Sequence, residues 1–183
     1  GKFAALKFVR ENNIPTFGIC MGMQCMVIEF ARNVLGYSDA NSTEIDPTTS
    51  HNVVDIMEEQ KNILNLGGSM RLGAFPCKLK KGSKAYKIYG KENISERHRH
   101  RFEFNNNYKE EFEKAGMICS GINATSNLVE IVEVPSHRWF IGVQFHPEYS
   151  STVVNPHPLF INFIKAAIEY RMERISSNKA AKQ

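Results

Sequence analysis

The sequence lacks the features that mark several classes of protein. It has no apolar run long enough to cross a bilayer, so no membrane span is predicted. Its four cysteines form no Cys-x-x-Cys pair, which favours reduced thiols in a cytoplasmic protein over a disulfide framework or a zinc site. A net charge of +4 is too small to indicate a nucleic-acid partner by itself. What remains is a globular protein without a membrane or nucleic-acid signature.

Length and composition favour a single domain. The chain has 183 residues, 42% of them hydrophobic, which is enough for a substantial core. We expect this domain over residues 1–175 and a frayed polar tail over residues 176–183. No secretory segment begins the chain. Because it opens on a helical pattern after Gly1, we expect that sequence preceding this residue is missing.

A cysteine stands between two glycines at the end of a short apolar run. The run Pro-Thr-Phe-Gly-Ile over residues 15–19 leads into Cys20-Met21-Gly22-Met23-Gln24, where a helical pattern begins. This spacing is typical of a strand-to-helix elbow that carries a nucleophile, where side chains at either glycine are expected to collide. A helix start favours thiolate over thiol, and the Met21 N–H can point at an oxyanion. A buried structural cysteine is the alternative, and this stretch alone leaves both open.

A histidine at the far end of the chain favours the nucleophile. An apolar strand pattern over residues 139–145 runs directly into His146-Pro147-Glu148. A thiol nucleophile needs a base, and the base needs a group that orients it. His146 can serve as the base, and Glu148 can accept a hydrogen bond from its other ring nitrogen. A lone histidine is more often a satisfied core or surface residue, but the two motifs together are far more specific.

At this point the sequence resembles a known family. Pro-x-Phe-Gly-Ile-Cys-x-Gly-x-Gln and Gly-Val-Gln-Phe-His-Pro-Glu resemble the triad-type glutamine amidotransferases. Gly-Gly-Ser-Met-Arg-Leu-Gly over residues 67–73 and Glu-Arg-His-Arg-His-Arg-Phe-Glu-Phe-Asn over residues 96–105 are similar to the glutaminase domain of CTP synthase. The resemblance covers residues 1–170, with Met21 and Ser69 where Leu and Thr are common. It implies an α/β, flavodoxin-like amidotransferase fold with a central, mostly parallel sheet, an antiparallel portion and missing N-terminal strands.

The resemblance also implies roles for individual residues. Cys20, His146 and Glu148 are expected to be catalytic. Glu44 is expected to hold the α-amino group of glutamine and Arg101 its α-carboxylate, and no metal is expected. The full set expected to bind glutamine is Met21, Gly22, Met23, Gln24, Glu44, Arg101 and Phe102.

The implied activity is glutamine hydrolysis to glutamate and ammonia through a cysteine thioester. The ammonia would serve ATP-dependent amination of UTP to CTP in a synthetase domain of the same polypeptide, through which the protein is expected to form a homo-oligomer. ATP, UTP, Mg²⁺ and activating GTP are expected for that complete enzyme, and no cofactor for this domain, which has no Gly-x-x-x-x-Gly-Lys-Ser/Thr phosphate loop. The alternatives are the glutaminase of another amidotransferase, a cysteine peptidase of the same fold, and a non-catalytic binding module.

An unusual basic strand is predicted before Phe102. Period-two alternation places Arg97, Arg99 and Arg101 on one face and His98 and His100 on the other. A nucleic-acid surface would need interleaved aromatic residues, and a metal site would need acidic or cysteine partners nearby in sequence. The resemblance implies a role for Arg101 only. No role is assigned to the other two arginines and the two histidines of this strand.

The remaining patterns predict the secondary structure. The C-terminal helix is expected to bury Phe160, Phe163, Ile164, Ala167 and Ile168 on one side. Helices are predicted over residues 2–12, 21–36, 83–89, 106–115 and 159–174, and strands over residues 16–19, 53–57, 70–79, 97–101, 117–122, 128–134 and 139–145.

Overall fold

The fold is known from a computed structural model that describes residues 1–56 and 70–180. Part of the motif over residues 67–73, including Ser69, lies outside these residues, as does residue 57 of the second predicted strand. The helices are α1 (Lys2–Glu11), α2 (Met21–Phe30), α3 (Lys84–Tyr89), α4 (Lys109–Ala115) and α5 (Pro158–Ala180). The strands are β1 (Thr16–Ile19), β2 (Val54–Ile56), β3 (Arg71–Leu79), β4 (Asn93–His100), β5 (Phe102–Phe104), β6 (Ile118–Ile122), β7 (Val129–Glu133) and β8 (Phe140–Val143).

Six strands form one mixed sheet in the order β1-β8-β7-β6-β3-β4. The β1–β8 pair is parallel, and the other four pairs are antiparallel. A separate antiparallel pair, β2 and β5, packs beside α2. Within the part of the chain that is described, β1 pairs on one side only. The predicted α/β class with parallel and antiparallel portions is confirmed, but the strand pairs among the described residues are mostly antiparallel and not mostly parallel, because short turns join β6, β7 and β8.

The core occupies both faces of this sheet because side chains alternate along β8. Phe140 belongs to the cluster that α2 covers, where Met23 and Met26 are fully buried. Ile141 and Val143 point into a second cluster on the opposite face. A Cβ at Gly142 would lie 3.0 Å from the Met23 side chain, so this glycine lets α2 approach the strand closely.

Local signals place most helix ends as predicted. The Ser83 hydroxyl accepts a hydrogen bond from the Tyr86 N–H at 3.0 Å, which caps α3. The helix after the elbow changes to a π-helical turn at Ala31 and ends at Gly36, whose φ is +83°. A 3₁₀ turn, Asn106–Tyr108, precedes α4, so the predicted single helix is two pieces.

The prediction for the last helix is wrong in two respects. The helix continues to Ala180, so most of the predicted frayed tail is helical. Ile164 and Ile168 are 54% and 55% exposed, whereas Phe160 and Phe163 contact Phe17 as predicted, and the buried side also carries Leu159 and Ala166. Two apolar stripes run along this helix, and its sequence alone does not say which stripe meets the sheet. None of the helices described here is long and apolar enough to span a membrane.

Candidate active site

Cys20 occupies a strained turn between β1 and α2. Its φ is +51° and its ψ is −108°, a conformation that residues other than glycine rarely adopt. The Cys20 N–H donates to the Val143 carbonyl at 2.8 Å, and the Gln24 N–H donates to the Cys20 carbonyl at 3.2 Å. The strand and the helix therefore hold the residue from both sides. This is the backbone of a nucleophile elbow.

The two glycines that flank the cysteine have different roles. A Cβ at Gly18 would lie 2.5 Å from the Met26 sulfur and 2.7 Å from the Gly22 carbonyl carbon. A Cβ at Gly22 would meet nothing within 4 Å. The expectation that side chains at both glycines collide is right for Gly18 and wrong for Gly22, because the Gly22 Cβ position faces open space.

His146 follows β8 and is held in a defined orientation. Its Nδ1 lies 2.6 Å from Glu148 Oε1, the predicted contact, and its backbone N–H donates to the Arg97 carbonyl at 2.8 Å. The ring also stacks on Tyr149. Its Nε2 is buried and has no hydrogen-bond partner among residues 1–56 and 70–180. With Nδ1–H donating to Glu148, Nε2 carries the lone pair that a general base needs.

The thiol of Cys20 lies in a partly buried environment. The Gln144 side-chain amide donates to its sulfur at 3.8 Å, and the Arg99 carbonyl lies 4.0 Å from it. Burial raises the pKa of the thiol, against a lowering by the Met21 backbone N–H. The N–H at the helix start therefore favours the thiolate, as expected, but burial acts more strongly in the opposite direction. A raised thiol pKa is consistent with a nucleophile that a neighbouring base activates.

A cleft of about 310 Å³ opens in front of the cysteine. It brings together residues that are far apart in sequence, including Glu44 and Arg101. Of the predicted site residues, Gly22, Met23, His146 and Glu148 are not in its lining, and Met23 is part of the core. The lining residues are Cys20, Met21, Gln24, Glu44, Met70, Arg99, His100, Arg101 and Phe102.

Several residues at the site have no predicted role. Gln144 is fully buried: its amide donates to the Cys20 sulfur, and its Oε1 accepts from the Gln24 amide. The Gln24 amide also donates to the Phe102 carbonyl at 2.9 Å. Gln144 belongs to the Gly-Val-Gln-Phe-His-Pro-Glu motif, two residues before the histidine, and that position is the signal in the sequence that could identify it. Arg99 and His100 line the cleft because β4 ends beside it. In the described ranges no group of three or more His, Cys, Asp or Glu residues is arranged to hold a metal ion.

The chain resembles known proteins along most of its length. Residues 1–166 match the glutamine amidotransferase class-I family. The chain is 70% identical over 169 residues to a CTP synthase of Bacteroides fragilis and 65% identical over 171 residues to one of Porphyromonas gingivalis. These matches cover 92% and 93% of this chain and 32% of each relative, so the chain spans about a third of their length.

Solved structures give the same result for the fold. The glutaminase domain of Trypanosoma brucei CTPS with bound acivicin superposes with a TM-score of 0.87 at 45% identity, covering 92% of this chain and 65% of that one. A glutamine amidotransferase from Thermotoga maritima shares the fold, with a TM-score of 0.50 at 15% identity, covering 97% of this chain and 55% of that one. The predicted fold and resemblance are confirmed. On its sequence and its fold, the chain belongs to the class-I glutamine amidotransferase family.

Proposed function

We propose that this chain hydrolyses the side-chain amide of L-glutamine to glutamate and ammonia. One observation carries the proposal: the strained Cys20 elbow opens on a cleft that also contains Glu44 and Arg101. A carboxylate suits an α-amino group, and a guanidinium suits an α-carboxylate. A site that supplies both charges favours a free amino acid over an internal segment of a peptide. This argues against the peptidase alternative.

The first half of the reaction forms a thioester. Cys20 gives its thiol proton to Nε2 of His146, whose Nδ1–H is held by Glu148, and the thiolate attacks the amide carbon. The Met21 N–H donates to the oxyanion. When the C–N bond breaks, His146 returns the proton to the amide nitrogen, which leaves as ammonia. The γ-glutamyl group remains on the sulfur.

The second half releases glutamate. His146 Nε2 takes a proton from a water molecule, and the resulting hydroxide attacks the thioester carbonyl. The Met21 N–H again faces the oxyanion. The C–S bond then breaks, the thiolate takes the proton back from His146, and the free thiol is restored. Glu148 keeps its hydrogen bond to Nδ1 throughout, which holds the ring in the required tautomer.

The similarity to CTP synthases supports a role for the ammonia. We propose that it is used in ATP-dependent amination of UTP to CTP by a synthetase domain of the same polypeptide. ATP, UTP, Mg²⁺ and activating GTP would bind outside the residues described here, and the protein would form homo-oligomers through that domain.

The test compares Cys20→Ala with Cys25→Ala, a matched change of a buried thiol in the same helix. Glutamate release should be lost in the first variant and kept in the second. A glutamine-mimicking electrophile should label Cys20 alone among the four free thiols, which mass spectrometry of peptides can locate. An adduct on Cys25, Cys77 or Cys119 instead of Cys20 would reject this nucleophile.

A further inference from the structure

The C-terminal helix α5 carries an apolar stripe on the side that faces away from the sheet. Its inner side is held by buried Leu159 and Ala166 and by Phe163, whose ring contacts Phe17 and Trp139. On the opposite side, five large apolar side chains are between 38% and 62% exposed. They form what we call the outer stripe: Ile161, Ile164, Ile168, Met172 and Ile175. A surface helix normally buries one apolar stripe and covers its other side with polar residues, so the packing of this domain does not explain the second stripe.

The outer stripe is continuous along the helix. At 3.6 residues per turn, its five side chains fall within about 40° of Ile168 around the helix axis. At 1.5 Å per residue, the stripe is about 21 Å long. Apolar side chains that are exposed singly are normal on a protein surface, whereas a contiguous apolar strip marks a surface that binds something.

The order of residues in the outer stripe is symmetric about Ile168. Ile161 and Ile164 lie seven and four positions before it, and Met172 and Ile175 lie four and seven positions after it. When two copies of a helix pack antiparallel about a two-fold axis, each residue faces the one at the same distance on the other side of the axis. With the axis at Ile168, every member of the outer stripe therefore meets another member in the second copy.

The charges beside the outer stripe fit the same arrangement. Lys165 and Glu169 are exposed and lie on one flank, about 60° and 100° around the helix from Ile168. Equivalent flanks meet in an antiparallel pair, so Lys165 of each copy lies about 3 Å along the axis from Glu169 of the other. The other flank carries Arg171, and its two copies would be about 9 Å apart along the axis and exposed, so they repel only weakly in water.

Lys165 and Glu169 are available for this contact. In the part of the chain that the structure describes, the ion pair of α5 joins Glu173 to Arg138, which lies towards the sheet. Neither Lys165 nor Glu169 takes part in it. Two ion pairs across the axis would fix the helices as antiparallel, because a parallel pair would bring the two copies of each charge together.

We propose that the outer stripe is a docking surface for a second copy of this chain, with two α5 helices antiparallel about a two-fold axis at Ile168. The contact goes beyond the proposed hydrolysis of glutamine and uses none of its residues. A single helix pair of about 21 Å buries less than the roughly 1,200 Å² of a stable interface. The dimer is therefore expected to be weak, with a Kd on the order of 10 to 100 μM.

An anionic lipid surface is the competing occupant, because Lys165, Arg171 and Arg174 surround the outer stripe. Helices that lie on such a surface carry lysine and arginine beside the apolar side chains. Here Glu169 stands on the same flank as Lys165, where an anionic surface would repel it. The symmetric order of the stripe also has no use at a membrane, so the observations favour a second copy.

The first test is sedimentation equilibrium of the chain from about 1 μM to about 500 μM, a range that spans the expected Kd. The wild type should dimerise. Ile168→Lys places two positive charges at the axis and should raise the Kd at least tenfold. Ile45→Lys is the matched control, since this isoleucine is 57% exposed against 55% for Ile168 but lies outside α5, and it should dimerise as the wild type does. A wild type that stays monomeric, or an Ile168→Lys protein that dimerises equally well, would overturn the proposal.

Charge reversal tests the antiparallel arrangement without changing the outer stripe. Lys165→Glu and Glu169→Lys each place like charges opposite one another, and each should raise the Kd roughly two- to tenfold. The double variant exchanges the two charges and should restore the wild-type Kd. Single variants without effect, or a double variant no better than the singles, would reject the pairing, because a general loss of apolar association predicts no such rescue.

Cross-linking locates the axis. In a Cys20→Ala background the three remaining natural thiols are buried. Ile168→Cys should form a disulfide between two copies on mild oxidation. Ile161→Cys should not link to itself but should link to Ile175→Cys when the two proteins are mixed. Self-linking of Ile161→Cys in place of these products would indicate a parallel pair and overturn the proposal.

A vesicle experiment separates the competing occupant. The protein should not sediment with vesicles of phosphatidylcholine and phosphatidylserine, and binding that Ile168→Lys abolishes, by a protein that is monomeric in solution, would assign the stripe to a membrane instead. This inference and the proposed function fail separately. Loss of glutamate release in Cys20→Ala leaves the dimer unchanged, and loss of the dimer in Ile168→Lys leaves Cys20 and its cleft intact.

Discussion

Substitution of the two glycines around Cys20 should have opposite effects on stability. A methyl group at residue 18 would lie 2.5 Å from the Met26 sulfur, 2.7 Å from the Gly22 carbonyl carbon and 2.9 Å from the Gly22 oxygen. The sulfur belongs to a flexible side chain and can move. The other two atoms belong to the backbone of α2 and can move only if the helix shifts away from β1.

The magnitude follows from these contacts. Overpacking of a rigid core typically costs about 1–3 kcal/mol, and contacts below 3.0 Å to backbone place Gly18→Ala at the upper end of that range. Gly22→Ala adds a methyl group in open space on a helix, where alanine is favoured over glycine by up to about 1 kcal/mol. The two variants add the same atoms four residues apart, so each is the control for the other.

The assay is equilibrium unfolding in urea. The free energy of unfolding is obtained with the same dependence on urea concentration (the m-value) for all variants. Gly18→Ala should unfold at lower urea than the wild type, and Gly22→Ala at the same or higher urea. Glutamate release by Gly18→Ala should fall further than its folded fraction, because a shifted helix moves Cys20 away from His146. A Gly18→Ala protein as stable as Gly22→Ala would show that the elbow is not closely packed and would refute this reasoning.

Further predictions concern substrate binding, the base and an upstream extension of the chain. Arg101→Ala or Glu44→Gln should weaken glutamine binding by on the order of ten- to a hundredfold, seen mainly as a higher KM, and an unchanged kcat/KM would reject the role. Arg97→Ala is the control, since Arg97 contacts His146 through its backbone carbonyl. Glu148→Gln should lower kcat by roughly a hundredfold with little change in KM, because the amide no longer favours the required tautomer; a change confined to KM would contradict this. A chain extended upstream should melt at a higher temperature and release glutamate faster than residues 1–183, because β1 has one neighbouring strand among the described residues and the family resemblance implies further strands beside it; equal stability and equal turnover would contradict this.

Sequence patterns predict the parts of the site that depend on neighbouring residues. The elbow around Cys20 follows from glycine spacing, and the contact between His146 and Glu148 spans two positions in the chain. The alternation along β4 correctly separates exposed Arg97 and Arg99 from the buried histidines, since a strand turns its side chains to opposite faces at every step. These features are local, so the order of residues determines them directly.

Only the tertiary structure decides which buried charged side chains meet. The hydrogen bonds of Arg71 reach across 32 and 59 positions to Glu103 and Glu130, and no local pattern links strands that far apart. The same limit explains why Ile164 and Ile168 of α5 are exposed although they were predicted to be buried, because the side that a helix buries depends on the surface against which it packs. It also explains why the pKa of the Cys20 thiol is raised. Burial raises this pKa more than the N–H at the helix start lowers it, and only the helix start is visible in the sequence. Burial is a property of the whole fold, and the sequence determines it only through the packing of all the elements together.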